Sequence, residues 1–346
     1  IEQPERHFRA ASTKMNDEYR EDPMPIRPIS AYITLALALS PVAAMAQATL
    51  GAQMKIYVGF PPGGSTDVLA RVLAQEGGKR LGREIIVINK PGASGAIAAN
   101  EVASAPADGM SIGISPSSTF TISHLFQGIK PDLLERTAAL LQVGSQPIGI
   151  ATKTDSPFAT FKDFVAAARK DPNKIAVGIP GSGTMTDLVI RALAQRDNLQ
   201  LNIVPFRGDV PTATAILGGH VQAAGLSAGG FAQHIEGGAM RLLVAMETTR
   251  SVVAPNIPTL KELGYDFAGN AIQYMYAPKD LPAAERKRLI DALGEAARTP
   301  LYIDIAKKNV LYSATSMNGD ALDRYLLEDR IRNTALVAKL GLGKKP

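Results

Sequence analysis

The sequence predicts an α/β protein of two lobes, each a parallel sheet with helices on its faces, with the chain crossing between them twice. Three observations point there. Short apolar runs alternate with stretches of helical spacing, the pattern of parallel strands covered by helices. A strand, glycine-rich turn and helix start at 56–75, IYVGFPPGGSTDVLARVLAQ, recur at 175–195, IAVGIPGSGTMTDLVIRALAQ. An extended segment at Asn270–Pro278 then stands where a return crossing would bring the chain back, so the first lobe is expected from both ends of the chain.

The echo is close. Ile56, Val58, Gly59 and Pro61 match Ile175, Val177, Gly178 and Pro180 at a spacing of 119. Asp67, Arg71, Leu73, Ala74 and Gln75 match Asp187, Arg191, Leu193, Ala194 and Gln195 at a spacing of 120, so the second turn carries one added residue. The first amides of a helix have no intrahelical acceptor and carry the positive end of its dipole, which suits an anion. Glycines let a ligand approach the backbone, and Ser65 or Thr66 can cap the helix or turn a hydroxyl to the guest. Two such ends facing each other would hold one guest between the lobes. Neither copy is a nucleotide-binding loop: the first lacks the GKS or GKT ending, and neither has G-x-G-x-x-G.

The 346 residues suffice for two domains, and 46% hydrophobic with 20% charged residues is ordinary for a globular chain. Met24–Ala46 reads as a secretory signal peptide, with Arg27 in the charged region, an apolar run from Ile29 and Ala44-Met45-Ala46 as cleavage site. Ser40 and Pro41 break that run, which argues against a membrane anchor. Residues 1–23 are read as lying upstream of the true start at Met24, and the mature chain then has a net charge of about +6, which fits small anions and shows no basic run for nucleic acid. No cysteine is present, so disulfides, a lipid-modified cysteine and a thiolate zinc site are excluded. The expected product is exported to the periplasm, free of the membrane, monomeric and without metal or cofactor.

In order, the spacing predicts a helix over 65–77, a strand over 83–89, a helix rich in alanine after Ser94, and a strand over 110–115. Pro116, Ser117, Ser118 and Thr119 follow as a hydroxyl-rich turn, placed where ligands sit in open α/β sheets or facing solvent. Residues 140–152 read as an extended crossing, 161–169 as helix and 201–206 as a strand that delivers Arg207 and Gly208. A guanidinium there could take a carboxylate through two parallel bonds, or simply face water. A helix over 212–217, strands over 221–227 and 241–247, and a helical tail from Pro282 complete the chain.

FPPGGSTD (60–67), INKPGASGAIAANEVASAPADG (88–109), GIPGSGT (178–184), VPFRG (204–208), LGGHVQA (217–223) and APNIPTLKELG (254–264) together resemble the substrate-binding receptors of tripartite tricarboxylate transporters, the Bordetella uptake gene (TctC) family. The resemblance runs over essentially the whole mature chain. It implies a type II periplasmic-binding-protein fold, two Rossmann-like lobes joined by a two-strand hinge, with 47–146 and 274–346 forming lobe 1 and 147–273 lobe 2. The C-terminal helices would touch one lobe or both. It also implies a small organic carboxylate in the cleft and delivery to membrane permease subunits. Carried over position by position, the ligand contacts are Gly64, Ser65, Thr66, Asp67, Ser117 and Ser118 from lobe 1, with Gly181, Ser182, Gly183, Thr184, Arg207 and Ser227 from lobe 2. The family usually has Lys at Arg207, His at Asp187, and Trp followed by Phe or Tyr at Gln273 and Tyr274, and its segment after Phe126 is longer and more acidic. These departures bear on the ligand, not the fold. Asp67 could stabilise its own helix start or accept an ammonium, and Tyr274 and Tyr276 could line the pocket or pack the hinge.

Two other classes were weighed. Gly225-Leu226-Ser227-Ala228-Gly229 matches the nucleophile elbow G-x-S-x-G, but only His234 follows, with no acid between, so a Ser-dependent hydrolase is disfavoured. His124 and His220 stand without metal-ligand spacing. A ligand-sensing module would need an attached signalling or DNA-binding segment, and none is evident.

Overall fold

The computed structural model describes residues 53–343 except Pro131, Asn270 and Thr315, so the expected leader and signal peptide lie outside the described residues. In the first half, β1 (Met54–Val58) runs into α1 (Ser65–Leu81), and β2 (Ile85–Asn89) runs through a 3-10 turn at Ala93–Gly95 into α2 (Ala96–Ala103). β3 (Ser111–Pro116) leads to two short helices, α3 (Ser118–Thr121) and α4 (Ser123–Gln127), and α5 (Leu133–Arg136) precedes β4 (Thr137–Ser145). The second half repeats the plan with β5 (Ile148–Lys153), α6 (Phe161–Lys170), β6 (Ala176–Ile179), α7 (Met185–Arg196), β7 (Asn202–Pro205), α8 (Asp209–Leu217), β8 (Ala223–Ser227), α9 (Ala228–Glu236) and β9 (Met240–Ala245). β10 (Ile272–Pro278) is followed by α10 (Ala283–Ala296), α11 (Pro300–Lys308) and α12 (Gly319–Lys339).

Two five-stranded sheets result, ordered β2-β1-β3-β10-β4 and β7-β6-β8-β5-β9. In each, three parallel strands are followed by one strand antiparallel to its neighbours, β10 or β5, and then by a fifth strand; β5 opens the second sheet directly after the hinge, and β10 returns to the first. β1 and β6, the strands of the repeated motif, thus hold the same place in their sheets. The parallel strands are covered on both faces, which is why they read as unbroken apolar runs: Ile56, Val58, Ile112 and Ile114 in one sheet, Val177 and Ile179 in the other, all fully buried. α10 and α11 pack on α1, and the end of α12 places Val337 in the apolar cluster of the second sheet.

The hinge is short. β4 ends at Ser145, β5 begins at Ile148, and the Gln146 amide donates to Ala271 O at 2.9 Å where the return strand begins. The expected crossing over 140–152 is therefore two strands in two sheets, β4 and β5, parted by Gln146 and Pro147. Two other expectations differ. The hydroxyl-rich turn after β3 continues as helix α3, and α8 starts at Asp209 rather than Thr212. Pro211 does not delay α8, because a proline in the first turn lacks an N–H that would be unpaired there anyway.

Candidate functional site

The repeated turns share one construction. In the first, the Asp67 carboxylate accepts from the Gly63 amide (2.9 Å), from Arg71 Nε and Nη2 (2.8 and 2.9 Å) and from Asn89 Nδ2 (2.9 Å). In the second, Asp187 accepts from the Gly183 amide (2.8 Å) and Arg191 Nε (2.6 Å), while its own amide donates to Thr184 Oγ1 (3.3 Å). An acid in the first helical turn that reaches back to the preceding loop fixes the turn and suits the helix dipole. Burial pushes Asp67 up, but Arg71, the Gly63 amide and Asn89 outweigh it and hold the carboxyl below its usual range. At Asp187 burial prevails over Arg191 and the Gly183 amide, and the carboxyl is raised. The matched residues of the sequence echo are thus a pair of turn clamps, and the Asp67 carboxylate is engaged by its own helix start.

Beyond the clamps, the turns meet at a small chamber between the sheets of about 30 Å³. Its walls include Gly64, Ser65 and Thr66 at the start of α1, Thr184, Met185 and Thr186 at that of α7, Asp209 and Val210 at that of α8, and Ser227 preceding α9. Ser118, Gln146 and Ile148 complete the hinge side. Four helices, one rising from the first sheet and three from the second, therefore aim their N-termini at one space. A wider outer chamber of about 410 Å³ shares Phe60 and Pro180 with it and adds Ser94, Gln127, Gly181, Ser182 and Arg207.

Of the residues expected from the sequence, the structure brings Gly64, Ser65, Thr66, Ser118, Thr184 and Ser227 together in the inner chamber. Gly181, Ser182 and Arg207 line the outer one, where Arg207 is exposed. Asp67, Ser117 and Gly183 belong to neither wall. Ser117 is buried with its hydroxyl unpartnered among the described residues, and the Gly183 amide is held by Asp187. Tyr274 and Tyr276 pack the core instead of lining the pocket, with Phe120 ring centroids at 5.4 and 4.9 Å, and burial raises both phenols.

Asp209, Thr186 and Gln146 were not singled out by the sequence, and Gln273 was noted only as a departure from the family's usual Trp. The last accepts from Thr66 Oγ1 at 3.2 Å through its side-chain oxygen. Asp209 accepts from the Ser227 amide (2.9 Å) and the Ser227 hydroxyl (2.5 Å), and the Ser227 hydroxyl lies 3.0 Å from that of Ser65. Burial raises Asp209 above its usual range, against the two Ser227 bonds. A strand end that delivers Arg207 and Gly208 directly into a helix was the signal that could have found Asp209.

The halves touch across the cleft. Besides the Ser65–Ser227 contact, the Gly229 amide donates to Ser65 Oγ (3.1 Å), and Ser182 O accepts from Ser94 Oγ (2.7 Å) and Gln127 Nε2 (2.6 Å). The Ser227 hydroxyl thus has an acid and a serine as partners and no imidazole, which is not the geometry of a nucleophile. Among the described residues no cluster of His, Asp and Glu fits a metal ion, and no helix is long and apolar enough to cross a membrane.

Two five-stranded sheets, a short double hinge and a chamber of helix ends between them are the two-lobed fold of periplasmic binding proteins of the second type. Residues 69–342 match the tripartite tricarboxylate transporter family receptor, and the chain belongs to that family. It is 31% identical over 313 residues to the UPF0065 protein in gbd 5'region of Cupriavidus necator, covering 90% of this chain and 95% of that one. The periplasmic binding protein BugD superposes with a TM-score of 0.80 at 26% identity, over 85% of this chain and 99% of that chain. MatC of Rhodopseudomonas palustris with bound malate (TM-score 0.76, 21% identity, 83% of this chain and 99% of that) has the same fold. So has an R. palustris protein with adipate (0.78, 20%, 84% and 98%). The family is one of solute-binding receptors, not enzymes.

Proposed function

We propose that this protein is a periplasmic receptor that captures a small carboxylate in the interlobe cleft and delivers it to the permease subunits of a tripartite tricarboxylate transporter. The observation that carries this is the convergence of the α1, α7, α8 and α9 N-termini on one chamber reached from both lobes. Each such end favours an anion by about 0.3–1 kcal/mol, and more when partly buried. Micromolar binding needs about 8 kcal/mol, so the rest falls to direct bonds from first-turn amides and from the Thr186 hydroxyl, turned from Thr184 to the guest, in a cleft that closes away from water. Malate and adipate in the structural neighbours are guests of this kind.

The inner chamber is too small for such a guest while Ser65 touches Ser227. Entry therefore separates the lobes, and closure on the ligand replaces cross-lobe contacts with contacts to the guest. Export through the Met24–Ala46 signal, cleavage after Ala46 and a free monomer in the periplasm complete the reading.

A thermal-shift screen of mono-, di- and tricarboxylates, amino acids and aromatic acids tests it. At least one carboxylate is expected to raise the melting temperature. Thr186→Ala, in the inner wall, is then expected to weaken the hit about tenfold or more, and Arg207→Ala, in the outer wall, to weaken it less. No stabilisation by any carboxylate, or an unchanged affinity in both variants, would contradict the proposal.

A further inference from the structure

Asp209 is an acidic side chain in a chamber otherwise walled by helix starts, hydroxyls and apolar groups. It is the first residue of α8, keeps part of its surface open to the cleft, and pairs with no cation among the described residues. Arg207 lies two residues away but on the other side of Gly208, in the outer chamber. Gly208 makes that division: its φ of 115° lets the chain turn between the two side chains, and a Cβ there would stand 2.8 Å from Pro61 Cδ of the facing lobe.

The bonds around Asp209 also fix which way the hydroxyls point. Both carboxylate oxygens accept from Ser227, one from its amide at 2.9 Å and one from its hydroxyl at 2.5 Å. With its single proton turned to ionised Asp209, Ser227 can only accept from Ser65, 3.0 Å away. The Ser65 oxygen in turn accepts from the Gly229 amide at 3.1 Å. Ser227, which looks like a donor for a carboxylate, is therefore polarised toward Asp209 within its own lobe, and this does not depend on the contact with Ser65. This side offers acceptors, a carboxylate and the Ser227 oxygen. The donors are the first-turn amides of α1, beside Ser65, and those of α7.

We infer that Asp209 makes the inner chamber select a carboxylate that also carries an ammonium group, an amino acid in preference to the matching dicarboxylate or simple acid. An ammonium brings three donors and a positive charge to a wall of acceptors, while the ligand carboxylate faces the α1 and α7 amides. A second carboxylate on the ligand would meet Asp209 as a like charge unless one of the two took up a proton. The inference rests on the carboxylate reading of the cleft and narrows its ligand class.

The test compares pairs that differ by one amino group, succinate with aspartate, glutarate with glutamate, and propionate with alanine, by calorimetry on the wild-type chain and on Asp209→Asn. Asparagine keeps an oxygen for the Ser227 amide, and the wild-type comparison stands even if the variant does not fold. In the wild type the amino member of a binding pair is expected to be favoured about tenfold or more, and in Asp209→Asn that preference is expected to vanish. Equal or tighter binding of the partner without the amino group would overturn the inference while leaving the carboxylate reading intact. So would an amino preference that persists in Asp209→Asn. Failure of every pair, together with failure of the wider acid screen, would overturn both.

Discussion

At the hinge, Glu247 accepts a hydrogen bond from the Ile148 amide at 2.8 Å, just where the chain enters β5. Burial pushes its carboxyl from 4.5 to about 7, against that one bond. Folding therefore binds a proton more tightly here, so the Glu247 contribution is fully favourable below about pH 4.5 and is lost as pH rises through about 7. Glu247→Gln keeps an oxygen for Ile148 and removes the titration. Urea melts at about pH 5 and about pH 8 are expected to show the wild type losing about 1–2 kcal/mol more than the variant over that interval, partial exposure having reduced the effect. Parallel pH profiles would contradict the role given to Glu247. Single residues of this kind were the least legible in the sequence. Glu247 and Asp209 owe their raised carboxyls to burial in the folded chain, against bonds from the distant Ile148 and Ser227, and no local spacing announces either. Asp67, by contrast, could be read as a helix-start acid because Gly63 and Arg71 lie within four residues of it.

At the scale of elements, the closeness of α9 to α1 decides how far the cleft can shut. Gly229, second in α9, faces Ser65, and a Cβ there would come within 2.1 Å of Ser65 Oγ and 2.8 Å of its backbone nitrogen. Alanine is at least as good a helix former as glycine in this first turn, so Gly229→Ala is expected to leave α9 folded, as circular dichroism would show. The lobes, however, cannot approach as closely. We expect the affinity for the carboxylate to fall about tenfold or more, with a larger radius of gyration in small-angle scattering of the ligand-saturated variant. Undiminished affinity would show that closure does not bring α9 against α1. Strands and long helices were legible because periodicity is a local property: β1, β6, α1 and α7 stand where the apolar runs and glycine turns put them. The short α3 and α4 were not, since four or five residues carry no periodicity, and α8 begins three residues before the expected 212–217 helix, with Pro211 in its first turn.

For the whole molecule, the duplicated motif is the feature that organises the rest. Its spacing of 119 and 120 residues sets β1 and β6 in equivalent places in two sheets of matching order. The first sheet is completed by β10, which returns to it after the second, so the lobes are tied at the hinge, while at the cleft they meet through Ser65, Ser227 and Gly229 and through Ser94 and Ser182. The sequence disclosed this duplication directly. It did not disclose that the helix starts divide their work, with Asp67 and Asp187 clamping the turns while Gly64–Thr66 and Thr184–Thr186 form the wall. A crystal structure of the protein with the tightest-binding carboxylate from the screen tests the central claim most directly. The account predicts the carboxylate between the lobes, within about 3 Å of first-turn amides of both α1 and α7. A carboxylate held by one lobe alone, or outside the cleft, would contradict it.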